Sequence, residues 1–128
     1  MAEELDVSSG SAFSRLLGLE IVQAADGKAE VHMTMHDGLR NVHGKLHGGA
    51  LFSLIDTAMG QACHSLSGGM AQSVTLESKI NYIRPVSDGE VACRAWVLHN
   101  GKRTLVVEAD TYQGEKLIAK AQATFART

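Results

Sequence analysis

Only one stretch of this chain, Ala50 to Leu66, reads as a long helix, and it is apolar over almost its whole circumference. Leu51, Phe52, Leu54, Ile55, Ala58, Met59 and Ala62 leave it no broad polar face. Such a helix must be buried on most sides, so the rest of the chain has to wall it in. The rest is patterned as strands. Leu19 to Ala25 and Ala29 to Met35 flank Asp26-Gly27, a two-residue hairpin signal. In the second of these Ala29, Val31, Met33 and Met35 alternate with Glu30, His32 and Thr34, as in a half-buried strand. Ser73 to Ile83 places Val74, Leu76, Ile80 and Tyr82 on one face, and Pro85 then Ser87-Asp88-Gly89 turn the chain. Glu90 to His99, Arg103 to Tyr112 and Lys116 to Ala126 follow, joined at Asn100-Gly101 and Gln113-Gly114. Ser11 can cap a short helix that Gly18 ends, and Ser67-Gly68-Gly69 stops the long one. The expected layout is strand, strand, long helix, then four strands in a meander. That is an α+β domain, packed most simply as a mainly antiparallel sheet curled around the helix.

With 128 residues the chain has room for one core, so 1–128 reads as a single domain with 1–10 as a frayed acidic tail. A formal charge of −2 gives no basic field to hold nucleic acid. The first ten residues lack the apolar core of a signal peptide. The longest apolar stretch, Gly48 to Leu66, carries Asp56, Gln61 and His64 and is too polar for a membrane span. Cys63 and Cys93 are too few for a disulfide framework or a structural zinc site. They read as buried free thiols in a reducing cytoplasm.

Two features carry chemistry. Asp56 sits in mid-helix among apolar neighbours, with small Gly49, Ser53 and Gly60 beside it. A buried carboxylate with adjacent space is a candidate base or nucleophile with a raised pKa. His47-Gly48-Gly49 stands where the same helix begins. First-turn N–H groups lack helical partners, carry the positive end of the dipole and can stabilise an oxyanion. Eight residues at helical rise separate Gly48 from Asp56 by roughly 12 Å. A base and an oxyanion donor must both lie about 3 Å from one reacting centre. One helix cannot place both there, but two antiparallel copies can. If both groups act together, the protein is at least a dimer with two equivalent composite sites.

Asn41, the His47-Gly48-Gly49 turn and Asp56, at these spacings, resemble the signature of the hotdog-fold acyl-CoA thioesterases. The phenylacetic-acid-degradation (PaaI-like) branch is the most similar. The likeness runs through Asn81 to Pro85 and on to the last strand, from about Gly18 onward. It implies an antiparallel sheet of five or six strands wrapped around one long helix. It also implies a dimer with a continuous sheet, paired into a tetramer, and hydrolysis of an acyl-CoA thioester. By the resemblance, the Gly48 amide binds the thioester oxygen, and Asp56 of a second copy activates water or attacks the carbonyl. Asn41 and His47 hold the loop and the thioester or attacking water, and Gly49 is expected to bind substrate beside them. Thr75 falls where the family often has a hydroxyl near the carboxylate. Alternation places it opposite Val74 and Leu76, so a bulge or the dimer seam would be needed to bring it there. Arg84, Lys102 and Arg103, near strand ends, are candidates for the CoA phosphates. The acyl group is expected to be aryl or medium-chain.

No cofactor or metal is expected. His43 and His47 flank Gly44-Lys45 rather than forming the His-Glu-x-x-His zinc motif, and His32 and His36 on one strand are too far apart to chelate. Phosphate-loop and Gly-x-Ser-x-Gly patterns are missing. The rivals are a hotdog hydratase, a non-catalytic acyl-CoA-binding protein, and a thioesterase acting on carrier-bound acyl groups.

Overall fold

The computed structural model describes residues 10–66 and 72–128. A short helix α1 (Ala12–Leu17) precedes strands β1 (Leu19–Ala25) and β2 (Lys28–Thr34). Ser11 Oγ accepts from the Ser14 amide at its start, and Gly18 ends it with φ 80°. The long helix α2 (Gly48–His64) follows, then β3 (Ser73–Tyr82), β4 (Glu90–Asn100), β5 (Thr104–Gln113) and β6 (Lys116–Arg127). Residues 1–9 of the expected tail and the expected helix stop at 67–69 lie outside the described residues.

The six strands form one antiparallel sheet in the order β1-β2-β4-β5-β6-β3. This is the one-helix, wrapped-sheet arrangement the resemblance implies. The expected four-strand meander is corrected: only β4, β5 and β6 run as one. β3 crosses to the far edge and pairs with β6. The helix causes the crossover. β3 starts after its C-terminal end, and the return segment passes its N-terminal end, where Leu46 N–H donates to Val86 O at 2.8 Å.

The helix sinks into the sheet because the inner face is small at its centre. Ala29 pairs with Ala95, and Ala109 with Ala121, and all four are buried. Leu54, Ile55, Ala58 and Met59 fill that hollow at 0% exposure. Each large side chain so buried contributes about 1.5–3 kcal/mol before cavity effects. Ser65 ties the other end of the helix to the β1–β2 turn, its Oγ accepting from the Gly27 amide at 2.8 Å. That turn is the expected two-residue hairpin, with positive φ at Asp26 (55°) and Gly27 (80°). Asn100-Gly101 is not one. Asn100 stays in β4 opposite Leu105, and residues 101–103 make the turn. Arg127 holds it there, donating to Asn100 Oδ1 and, at 3.0 Å, to Gly101 O.

Candidate active site

Side chains shape the loop that leads into α2. The Arg40 guanidinium donates to Asp37 Oδ1 (3.0 Å), Gly44 O (2.7 Å), Ser87 O (2.8 Å) and Asp88 Oδ1 (2.8 Å). The carboxylates of Asp88 and Asp37 push its pKa higher still. Asn41 Oδ1 accepts from the amides of His43 (2.9 Å) and Lys45 (3.1 Å), closing a turn around Gly44. His47 N–H donates to Leu39 O at 2.7 Å. The entry to the helix is thereby held against both the 37–39 turn and the 86–88 segment.

The first-turn amides can then be accounted for one by one. His47 caps the helix, its Nδ1 accepting from the Gly49 amide at 2.8 Å. A ring nitrogen that accepts carries no proton, so the neutral ring holds its proton on Nε2. A Cβ on Gly49 would lie 3.0 Å from that Nδ1, and this explains glycine there. The Ala50 and Leu51 amides both reach His47 O, at 3.0 and 3.1 Å. Among the described residues, only the Gly48 amide of this turn has no partner. The helix starts at Gly48, two residues earlier than its apolar pattern predicts, because the histidine cap sits outside that pattern.

Tyr82 lies against the same glycine. Its hydroxyl donates to Gly48 O at 3.1 Å, and its ring is 3.8 Å from where a Gly48 Cβ would stand. Tyr82 is half exposed, and its partial desolvation pushes the phenol pKa up. Beside it a cavity of about 270 Å³ is lined by Leu46, Gly48, Leu51, Tyr82, Ile83, Arg84, Pro85 and Val86.

The second group sits farther along α2. Asp56 is half-buried, not buried as its neighbours suggest, because the stripe through Phe52 (40% exposed), Ser53 and Asp56 is the part of the helix the sheet leaves uncovered. Thr75 Oγ1 donates to Asp56 Oδ1 at 2.7 Å. Alternation misplaces Thr75 because β3 bulges against β6 between Thr75 and Glu77. The extra residue puts Thr75 opposite inward-facing Phe125, on the same face as Ser78, Ile80 and Tyr82. Val74 turns outward, 52% exposed.

The sequence-derived residues thus fall into two groups. Asn41, His47, Gly48, Gly49 and Arg84 gather at the helix N-terminus, where Arg84 Nη1 donates to Leu117 O at 2.7 Å. Asp56 and Thr75 form the other group. Lys102 and Arg103 lie toward that end, in the turn just before Leu105, which pairs with Phe125 as Thr75 does. One chain does not bring the two groups together. Tyr82 and Arg40 were not singled out from sequence. Tyr82 reads as one more apolar strand position, and nothing local to Arg40 announces partners at 87 and 88.

Two other sets of groups lie elsewhere. On the outer face of β1, β2 and β4, Glu20, His32 and Glu90 each bring a ligand-capable atom within 4.8 Å of the others. His32 is engaged there by Glu30 (2.6 Å) and Glu90 (3.2 Å), and Arg94 by Glu30 (3.0 Å). His36 has left β2, its Nε2 3.3 Å from Leu17 O. Cys63 and Cys93 are both buried free thiols, whose pKa burial pushes up to about 11 and about 12. No helix among the described residues is long and apolar enough to cross a membrane.

Comparison with known proteins agrees with the fold. Residues 43–120 match the family model described as the thioesterase superfamily. The acyl-coenzyme A thioesterase PaaI of Escherichia coli is 37% identical over 110 residues, covering 84% of this chain and 76% of its own. The conserved protein PA5202 of Pseudomonas aeruginosa superposes with a TM-score of 0.92 at 59% identity, over 94% of this chain and 97% of its own. A hypothetical thioesterase of Streptococcus pneumoniae, solved with coenzyme A, superposes with a TM-score of 0.81 at 31% identity, over 87% and 86% of the two chains.

Proposed function

The chain belongs to the thioesterase superfamily, and from that premise we propose that it hydrolyses an acyl-CoA thioester at two equivalent sites, each built from two copies. The observation that carries this reading is the single unpartnered amide of the first turn, Gly48 N–H. It is the donor placed to receive the carbonyl oxygen as negative charge develops on it. Asp56 of the second copy acts on the carbonyl carbon, as general base for a water or as nucleophile. In the first case water adds, the C–S bond breaks, and CoA leaves as a thiolate that takes up the displaced proton. Thr75 orients the Asp56 carboxylate, leaving Oδ2 for the reaction.

A second copy is also what the exposed surface suits. β3 is an edge strand with Val74 and Leu76 exposed at 52% and 59%. An open, apolar edge of this kind is a template for pairing with another strand. With the helices antiparallel, Gly48 of one copy meets Asp56 of the other, and Arg84 of one meets the Lys102–Arg103 turn of the other. These cations are proposed for the CoA phosphates. Asn41 and His47 hold the loop, and Gly49 lends its amide to His47. The cavity beside Gly48 suits a mainly apolar acyl group, aryl or medium-chain, and two dimers pair into a tetramer. The reaction needs no metal or cofactor, because the thiolate is already a good leaving group. A cytoplasmic setting, where acyl-CoA esters and reduced thiols coexist, fits this chemistry.

The test is release of free CoA thiol across aryl, short, medium and long acyl-CoA esters, with Asp56→Asn alongside. Turnover that collapses in the variant supports the reading and ranks the acyl groups. Binding of CoA esters without turnover in the wild type would replace it with a binding protein. Turnover of carrier-bound acyl groups alone would move the substrate.

A further inference from the structure

We infer that Tyr82 is a positioning residue for the oxyanion donor, acting with His47 as a two-ended clamp on the Gly48–Gly49 peptide. This rests on the reading of Gly48 given above. The helix begins with two glycines, the residues least able to hold a helical first turn by themselves. The peptide plane between them is pinned from opposite ends. Its carbonyl accepts from Tyr82 OH at 3.1 Å, and its N–H donates to His47 Nδ1 at 2.8 Å. The preceding peptide is pinned too, since His47 O accepts from the Ala50 and Leu51 amides at 3.0 and 3.1 Å. Gly48 therefore sits between two fixed planes, and its free N–H has one direction. Tyr82 reaches it from the end of β3, on the inner face opposite Ala119. The strand that carries Thr75 to Asp56 thus also carries Tyr82 to Gly48, and one register sets the donor end and the base end together.

A clamp predicts a particular pattern. Tyr82→Phe keeps the ring against Gly48 and the cavity wall but removes the donor. Loss of one neutral hydrogen bond that matters only in the transition state lowers kcat about fivefold and leaves KM alone. His47→Ala lowers kcat as well, and His47→Asn, whose Oδ1 can take the place of Nδ1 as a cap, restores much of it. Because both side chains hold one peptide, the Tyr82→Phe/His47→Ala double variant loses clearly less than the product of the single losses. Amide hydrogen exchange at Gly49, whose N–H the clamp holds, speeds up in Tyr82→Phe, which reads the clamp without any substrate. Unchanged kcat together with unchanged exchange overturns the inference. So does an effect confined to KM, which would make Tyr82 a substrate contact, and so do independent losses in the double variant. Asp56→Asn separates the two levels. Retained turnover there sinks the site itself, while an inactive Asp56→Asn beside a fully active Tyr82→Phe sinks only the clamp.

Discussion

Replacing Gly48 by proline should leave the fold at least as stable and yet nearly abolish turnover. Position 48 is the first residue of α2, where proline is favoured because its missing N–H has no helical partner. His47 before it has φ −65° and ψ 135°, the extended conformation that a residue preceding proline adopts. A Cβ at 48 would meet nothing closer than the Tyr82 ring at 3.8 Å. The substitution removes no hydrogen bond within the chain, since the Gly48 amide has none among the described residues. Reduced freedom of the unfolded chain should add about 0.4–1 kcal/mol of stability. The loss falls on catalysis: one oxyanion donor is worth about 3–4 kcal/mol, roughly a hundredfold to a thousandfold in kcat. Gly48→Ala is the control, because it adds a Cβ and keeps the N–H. Both variants would be melted, then assayed for CoA release on the best ester of the wild type. Proline at 48 with a kcat within a few-fold of alanine at 48, and an unchanged melting temperature, would refute the assignment of this amide.

Other consequences can be checked alongside. Thr75→Val removes the only hydrogen bond the described residues make to Asp56 Oδ1. On a half-exposed carboxylate this should cost up to about tenfold in kcat with little change in KM, and Thr75→Ser should recover it. Cys63 and Cys93, buried and shifted to about 11 and about 12, should not react with a disulfide reagent at neutral pH until the protein unfolds. Rapid labelling of the native protein would contradict that burial; its absence keeps the CoA thiol assay clean. Glu30 is held below the usual carboxylate range, first by His32 and also by Arg94. A depressed carboxylate contributes stability above its unfolded value, about 4.3, and that stability is lost as pH falls through the lower folded value. Denaturant melts between about pH 5 and pH 3 should therefore slope less for Glu30→Gln than for wild type. Equal slopes would contradict the pairing.

Much of the fold was legible because it follows from periodicity. The apolar circumference of 50–66 required walls, and Asp26-Gly27 made its turn because both residues adopt the positive φ that such a turn needs. What escaped depends on partners distant in sequence. Asn100-Gly101 carries the same signal as Asp26-Gly27, but Arg127, on another strand, holds it in a different turn. The place of β3 beside β6 follows from where the helix lets the chain out, not from anything in β3. The candidate-site residues show the same division. The positions of His47, Gly48 and Asp56 on one helix fixed their spacing in advance, and the proposal of a site built from two copies rests on that spacing. The bulge that turns Thr75 inward, the exposure of Asp56 and the reach of Tyr82 arise only when β3 lies along the helix.

The composite site is tested most directly by mixing two dead proteins. Asp56→Asn keeps the donor end and loses the base end; Gly48→Pro does the reverse. Unfolded and refolded together in equal amounts, half the dimers should be mixed, and each mixed dimer holds one fully wild-type site. CoA release should recover to about a quarter of the wild-type rate. A mixture no more active than its two parents would mean that no site draws Gly48 from one copy and Asp56 from the other.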